Sequence, residues 1–133
     1  MKLAVGVKAF ILNEEGKVLI LREAKYDEGT NEGKWDVPGG RIQPEETLFA
    51  GLKREVMEEC GLEIEIGGLL HVQENFPIIK NEEFHIVRAF YKAKLVGGEV
   101  ALSQDHDKYE WILPSHTEGK SYASDIVETL KVL

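Results

Sequence analysis

The sequence is poor in the residues on which several classes of protein depend. A single cysteine, Cys60, among 133 residues excludes an internal disulfide and a metal site built from several cysteines. The four histidines are scattered, without the regular spacing of a histidine metal motif. No apolar run reaches the roughly 18 residues that a membrane-spanning helix needs. The sequence also lacks repeats and Pro/Ser-rich linkers, so we expect one domain over residues 1–133 that does not act at a membrane.

Positive charge is scarce as well. The 16 lysines and arginines stand against 24 aspartates and glutamates, which gives a formal net charge of −8. This balance disfavours nucleic acid as a partner, because phosphate backbones are bound by basic surfaces. It leaves room for a small phosphorylated substrate whose charge is neutralised by metal ions. The opening MKLAVGVKAFIL is interrupted by Lys8 and no cleavage site follows, so it predicts a strand of a cytoplasmic protein rather than a signal peptide.

Apolar periodicity predicts several strands and two helices. Apolar and alternating runs predict strands over residues 4–12, 17–22, 35–37, 62–72, 84–96 and 109–113. Between residues 46 and 60, Phe49, Leu52 and Val56 recur at helical spacing, and Gly61 follows where a helix often ends. Ser124 predicts the N-cap of a second helix over residues 125–132. This order predicts an α/β (α+β) sandwich in which a mixed sheet lies between helices.

Three glutamates share one side of the first predicted helix. At about 100° per residue, Glu55, Glu58 and Glu59 fall within about 100° of arc, next to the apolar stripe. Gly51 lies one turn earlier on the same side and is expected to leave open space. Like charges at this spacing destabilise a helix by roughly a few tenths of a kcal/mol. The glutamates therefore form either a solvated acidic face or a site for a hard cation such as Mg²⁺, which prefers carboxylate oxygens.

The segment before the helix favours the cation site. Pro38, Gly39 and Gly40 predict a rigid turn followed by backbone that is free to adopt unusual dihedral angles. Glycine also allows a backbone carbonyl or amide to approach a ligand closely. A helix that only exposes its charges to solvent does not require such a glycine-containing turn before it.

The helix and its introduction together match a known motif. Nine residues that begin at Gly40 follow the pattern G-x5-E-x7-R-E-U-x-E-E-x-G-U, where U is a bulky aliphatic residue. They are Gly40, Glu46, Arg54, Glu55, Val56, Glu58, Glu59, Gly61 and Leu62. Residues 40–62 therefore resemble the Nudix box, and the chain resembles the small, single-domain, MutT-like members of the Nudix hydrolase family. This resemblance implies an α/β/α sandwich with a central mixed β-sheet.

The resemblance also implies an activity. Members of the family hydrolyse a pyrophosphate bond in a nucleoside triphosphate or another nucleoside diphosphate-linked small molecule, with Mg²⁺ or sometimes Mn²⁺. By this resemblance Glu55 and Glu59 are expected metal ligands, and Glu58 is a third ligand or the general base. The backbone carbonyl of Gly39 is a further expected ligand.

An arginine is expected to brace the metal-binding segment. The resemblance pairs Arg54 with Glu46, which would hold the loop against the helix. A guanidinium fork fixes a carboxylate in a defined geometry and offsets the charge of the neighbouring glutamates. The predicted catalytic residues are therefore Glu58, Glu55, Arg54 and Glu46.

Candidate substrate contacts lie outside the motif. Arg22 and Arg41 are predicted phosphate contacts, the alternative being surface salt bridges. Trp35 is predicted either to stack on a nucleobase or to pack in the core.

A distal acid is also expected, because many relatives recruit one from a loop far along the chain. The candidates are Asp105 and Asp107, which we favour, or Glu82 and Glu83.

Three functions remain open from the sequence. The first is hydrolysis of a nucleoside triphosphate or a related small nucleotide by a monomer or homodimer. The second keeps the chemistry and changes the substrate to ADP-ribose or a nucleotide sugar, with Pro77 as its support. The third is a nucleotide-binding module without catalysis, which the intact set of motif glutamates disfavours.

Overall fold

The computed structural model describes residues 1–26 and 28–133. Within these residues the chain forms eight strands and two helices. The strands are β1 (Lys2–Leu12), β2 (Val18–Glu23), β3 (Trp35–Asp36), β4 (Gly39–Arg41), β5 (Leu62–Asn75), β6 (Ile78–Ile79), β7 (Glu82–Gly98) and β8 (His106–Ile112). The helices are α1 (Leu48–Cys60) and α2 (Ile126–Leu130).

Strand β1 runs through the middle of the sheet. It pairs in parallel with β7 along its whole length, from Lys2 opposite Phe84 to Leu12 opposite Lys94. On its other edge it pairs antiparallel with β4 and, at its end, with β2. Strand β5 pairs antiparallel with β7, and β8 pairs antiparallel with β2. The sheet is therefore mixed, as predicted.

Residues 35–41 form a wedge between β1 and β2. On one side β3 pairs with β2, and on the other side β4 pairs with β1. Between the two short strands, the Pro38 carbonyl accepts a hydrogen bond from the Ala9 amide at 2.8 Å. At Gly39 (φ 153°) a Cβ atom would overlap the Val7 carbonyl oxygen, so only glycine fits this close approach. The predicted turn at residues 38–40 is thus in part a strand, and it separates β1 from β2.

The two faces of the sheet carry separate hydrophobic clusters. On β1 and β2, successive side chains point to opposite faces, so each strand contributes to both clusters. The cluster on the α1 side includes Val7, Ala9, Ile11, Leu52 and Val56. The cluster on the α2 side includes Phe10, Ile20, Phe90, Ile126 and Leu130. One helix packs on each face, which confirms the predicted α/β/α sandwich.

Helix α1 is held by caps at both ends. The Thr47 hydroxyl accepts a hydrogen bond from the Ala50 amide at 3.1 Å, so the helix begins two residues after the predicted start and Glu46 precedes it. Gly61 ends it in the left-handed conformation (φ 72°), as expected. The prediction that Phe49 belongs to the core stripe is wrong. Its side chain is 47% exposed and contacts the edge of Tyr91.

The end of the chain and one short hairpin differ from the prediction. Helix α2 is shorter than predicted and begins after Asp125, which adopts a left-handed conformation (φ 68°) and makes no side-chain cap. Ser124 is therefore not the N-cap. Strand β6, which pairs with the start of β7, was not predicted, because two residues carry no detectable alternation.

Candidate active site

A cleft of about 1250 Å³ opens where the wedge separates β1 from β2. The glutamates of α1 line it, together with residues of β1 and β7. The sequence-predicted residues that line it are Gly39, Arg41, Glu46, Glu55, Glu58, Glu59 and Asp105. One surface therefore unites most of the predicted site.

Arg54 binds three of the glutamates at once. Its Nε and Nη2 atoms donate to the two carboxylate oxygens of Glu46 at 2.7 and 2.9 Å, which confirms the predicted pairing. Its Nη1 atom donates to Glu55 at 3.0 Å and to Glu58 at 3.2 Å. The fork on Glu46, together with the Gln43 amide, lowers the pKa of Glu46 to about 2. Arg54 thus fixes the carboxylates and offsets part of their repulsion.

Two glycines make room for these carboxylates. A Cβ atom on Gly40 would lie 2.5 Å from the carboxylate of Glu55. A Cβ atom on Gly51 would lie 2.9 Å from Glu46 Oε1 and 2.8 Å from Ile42. The space predicted at Gly51 is therefore not open, because Glu46 and Ile42 occupy it.

Glu59 is the most buried of the three glutamates predicted as metal ligands. Only 9% of the residue is exposed, and its Oε1 atom accepts a hydrogen bond from the Gly39 amide at 2.8 Å. Burial raises the pKa of Glu59 to about 8, although the nearby Lys8 ammonium opposes the shift. Burial also raises the pKa of Glu55, opposed by Arg54. Without a cation, Glu59 therefore holds a proton near neutral pH.

His106 faces Glu59 from the neighbouring wall. Its Nδ1 atom lies 3.3 Å from Glu59 Oε2, outside hydrogen-bond geometry, and its side chain is 8% exposed. Burial lowers the pKa of His106 to about 4, with Lys8 adding to the shift, so the imidazole is neutral at physiological pH. Sequence reasoning left His106 out, although its position between the two predicted distal acids was a usable signal.

A lysine–aspartate pair in the cleft was also missed. Lys8 Nζ donates to Asp36 Oδ2 at 2.9 Å, and both side chains are 17% exposed. The signal was present in the sequence, because Lys8 interrupts an otherwise apolar strand. A charge inside a buried strand requires a partner, and β3 supplies it.

Arg41 and Asp105 are the two predicted substrate contacts that reach the cleft. The Arg41 guanidinium donates to Glu28 at 3.0 Å and lies over the Phe84 ring. Of the two predicted acid pairs, only the first contributes to the cleft lining of the described residues, through Asp105. Glu82 pairs with Lys2 at 2.7 Å, away from it.

Arg22, Asp107 and Trp35 lie outside the cleft lining, so their assignment as substrate contacts stays a prediction. Arg22 and Asp107 form a bidentate pair with each other at 2.8 and 2.9 Å, because β2 and β8 are neighbouring strands. Trp35 is 8% exposed in the cluster on the α2 side. Alternation along β3 turns Trp35 into the core and Asp36 toward Lys8.

The donor set suits a hard divalent cation. Glu55, Glu58 and Glu59 all line one cleft and offer carboxylate oxygens, the ligands that Mg²⁺ prefers. In residues 1–26 and 28–133, no three acidic, histidine or cysteine side chains are yet gathered around one point. Arg54 contacts Glu55 and Glu58, and the Gly39 amide contacts Glu59. The buried Glu59 carboxylate, held by the Gly39 amide, is the observation that fits a cation, which would favour its ionised form.

Comparison with known proteins identifies the family. The NUDIX domain model matches residues 2–129, which is nearly the whole chain. The chain belongs to the Nudix hydrolase family. Nudix hydrolases act on small nucleotide substrates and generally use divalent metal ions, so the observed cleft is a candidate active site of an enzyme of this family.

Individual relatives agree with this assignment. The chain is 31% identical over 130 residues to a MutT-like protein of Streptomyces ambofaciens, covering 96% of this chain and 77% of that protein. It is 38% identical over 101 residues to the human 8-oxo-dGDP phosphatase NUDT18, covering 76% of this chain and only 28% of that longer protein. The crystal structure of the MutT protein from Methanosarcina mazei Go1 matches with a TM-score of 0.79 and 28% identity, covering 98% of this chain and 92% of that one.

The helices formed by the described residues are too short or too polar to cross a membrane.

Proposed function

We propose that this Nudix hydrolase cleaves a pyrophosphate bond in a nucleoside triphosphate or another nucleoside diphosphate-linked small molecule. Water attacks one phosphorus atom, a P–O bond forms, and the bond to the bridging oxygen breaks. The products are two phosphate-bearing fragments. The convergence of Glu55, Glu58 and Glu59 on one cleft, beside the glycines of the wedge, is the observation that carries this proposal.

The three glutamates have different roles in this proposal. Glu55 and Glu59, with the Gly39 carbonyl, would hold a Mg²⁺ or Mn²⁺ ion. When bound, this cation polarises the phosphoryl oxygens and offsets the charge that develops on the leaving phosphate. The side chain of Glu58 is 60% exposed at the mouth of the cleft, where it can meet solvent. It either accepts the proton of the attacking water or serves as a third ligand.

Arg54 and Glu46 position these groups. Their bidentate contact ties the loop before α1 to the middle of the helix. The same guanidinium holds Glu55 and Glu58, so the carboxylates keep their place before a substrate arrives.

A substrate panel tests the proposal. The protein is incubated with Mg²⁺ and the eight common nucleoside triphosphates, 8-oxo-dGDP and ADP-ribose, and the products are separated by chromatography. The name of the human relative motivates the inclusion of 8-oxo-dGDP. Pyrophosphate release from a triphosphate supports the first candidate. Cleavage of ADP-ribose to AMP and ribose phosphate supports the second, for which Pro77 lines the cleft. Nucleotide binding without any turnover would contradict the proposal and leave a binding module.

Added cation provides a second test. Because the ion would bind the folded chain and relieve the repulsion among the glutamates, Mg²⁺ or Mn²⁺ should raise the melting temperature. At a concentration about 100 times the dissociation constant the gain is about 2.7 kcal/mol. A melting temperature that is equal with excess cation and with chelator would contradict the assignment of the metal ligands.

Three further expectations stay predictions. We propose that residues 1–133 work as one domain, that the protein acts in the cytoplasm, and that it is a monomer or homodimer. Size-exclusion chromatography with light scattering measures the last of these directly.

A further inference from the structure

Arg88 lines the cleft without a carboxylate partner in the part of the chain that the structure describes. Its Nη1 atom donates to the neutral amide oxygen of Asn75 at 2.6 Å. Burial lowers the pKa of the Arg88 guanidinium from its ordinary value, and the more distant Asp36 opposes this shift only through space. A partly buried guanidinium stays charged, so it favours an anion or several acceptors that replace lost water.

The other lysine and arginine of the cleft lining each contact a carboxylate. Lys8 is paired with Asp36 at 2.9 Å, and Arg41 with Glu28 at 3.0 Å. Among the lysines and arginines of the described cleft lining, Arg88 is therefore the one without a carboxylate partner.

Strand register places Arg88 across β1 from the wedge. Gly6 of β1 lies opposite Arg88 on β7 and opposite Arg41 on β4. A Cβ atom on Gly6 would lie 3.2 Å from Arg88 Cγ and 3.4 Å from the Gly40 carbonyl oxygen, so the Arg88 stem and the wedge both lie against Gly6. Gly40 also borders the Glu55 carboxylate, and Arg88, Gly40 and Glu55 all line the same cleft.

We propose that Arg88, held in place by Asn75, binds a phosphate oxygen of the substrate beside the bond that is cleaved. This inference rests on the proposed function and names the side chain that positions the substrate's phosphates. Asn75 engages one N–H group of the fork and leaves the others for the ligand. A planar guanidinium matches two phosphate oxygens, and the desolvated setting strengthens the contact.

Two substitutions separate this role from a structural one. Arg88→Gln removes the charge. Asn75→Asp keeps Arg88 in place and supplies the carboxylate that it lacks, so it neutralises the cation without removing it. Lys92→Gln is the matched control, because Lys92 is an exposed cation on the same strand.

Binding is measured by calorimetry in Mg²⁺ with the α,β-methylene analogues of dGTP and dATP, which the enzyme cannot cleave at that bond. Deoxyguanosine and deoxyadenosine are the phosphate-free probes. We expect Arg88→Gln and Asn75→Asp each to weaken binding of both analogues about ten- to hundredfold, as loss of a charge-assisted hydrogen bond predicts. Nucleoside binding and the Lys92→Gln variant should match the wild type.

Other outcomes overturn the inference. Wild-type affinity in Asn75→Asp, with a loss only in Arg88→Gln, would show a structural role. A change in the ratio of dGTP to dATP analogue affinity, or weaker nucleoside binding, would assign Arg88 to the base instead. If the wild type neither binds the analogues nor cleaves any substrate of the panel, the proposed function fails and this inference fails with it. If the wild type does both and the two variants bind normally, only the assignment of Arg88 fails.

Discussion

The two ends of α1 shift the pKa of a glutamate side chain in opposite directions. Before the N-terminus, Glu46 receives two hydrogen bonds from Arg54 and one from the Gln43 amide, and its pKa falls to about 2. Near the C-terminus, Glu59 is buried beside the wedge with one amide donor, and its pKa rises to about 8. Hydrogen bonding to a cation dominates at the first end and loss of water at the second.

Within one motif, this contrast distinguishes a glutamate that stabilises the fold from a glutamate that is suited to bind a ligand. A satisfied carboxylate at the N-terminal end stabilises the fold and has little affinity left for a ligand. The carboxylate at the C-terminal end is costly to ionise in the free protein, so a bound cation would stabilise its ionised form the most. The four predictions below test this difference in order of expected effect.

The largest effect is expected on turnover. Glu58→Gln and Glu59→Gln should each lower kcat by about two to four orders of magnitude, because each removes a ligand or a proton acceptor while keeping the shape of the side chain. Circular dichroism should show an intact fold. Glu65→Gln, an exposed change on β5, is the control and should be fully active. Near-normal kcat in both motif variants would refute their catalytic assignment.

The next effect concerns the N-terminal end of α1. Arg54→Met should lower the melting temperature by several degrees, because Glu46, Glu55 and Glu58 lose their shared cation. Arg22→Met is the matched control, since it breaks an equally bidentate pair whose side chains are 30% and 44% exposed rather than 24% and 14%. If both variants melt at the same temperature, Arg54 has no special structural role.

A smaller effect is expected from the C-terminal end in cation-free protein. The pKa of Glu59 is higher in the folded chain, about 8, than the 4.5 of a free side chain, so folding opposes its ionisation. Its contribution to stability is therefore lost as the pH rises from about 4.5 through 8. Glu59→Gln should leave the melting temperature unchanged at pH 4 and raise it by a few degrees at pH 9, measured with chelator. An equal effect at both pH values would contradict the raised pKa.

The smallest effect is a loss of stability toward acidic pH rather than toward basic pH. Because the pKa of Glu46 is about 2 in the folded chain and 4.5 when free, its contribution is complete above pH 4.5 and is lost as the pH falls toward 2. Glu46→Gln should therefore flatten the acid side of a plot of urea midpoint against pH. Glu65→Gln provides the comparison, and a curve for Glu46→Gln that parallels the wild type would argue against the Arg54 contact.

The sequence predicted the fold well wherever the pattern is local. Long apolar strands such as β1 and β7 were found, and α1 was placed within two residues at its start, because periodicity and caps depend on near neighbours. Strand β6 and the strand part of the wedge were missed, since two or three residues form strands there only by pairing with distant partners. Phe49 was misplaced because helical spacing indicates a face without showing how far the neighbouring layer extends.

The candidate site shows the same division between local sequence patterns and long-range contacts. The spacing of Glu55, Glu58 and Glu59 on one turn of helix is a local property, so the sequence by itself determined which carboxylates share a surface and which family the chain resembles. The burial of Glu59 and the neutralisation of Arg22 and Arg41 depend on contacts with other elements. Only the tertiary structure could decide these, and only it shows Arg88 in the cleft without a carboxylate partner among the described residues. The physical reason is that spacing along the chain sets the direction in which each side chain points. The ionisation state and pKa of a group depend instead on solvent exclusion and on partners that strand pairing brings from distant parts of the sequence.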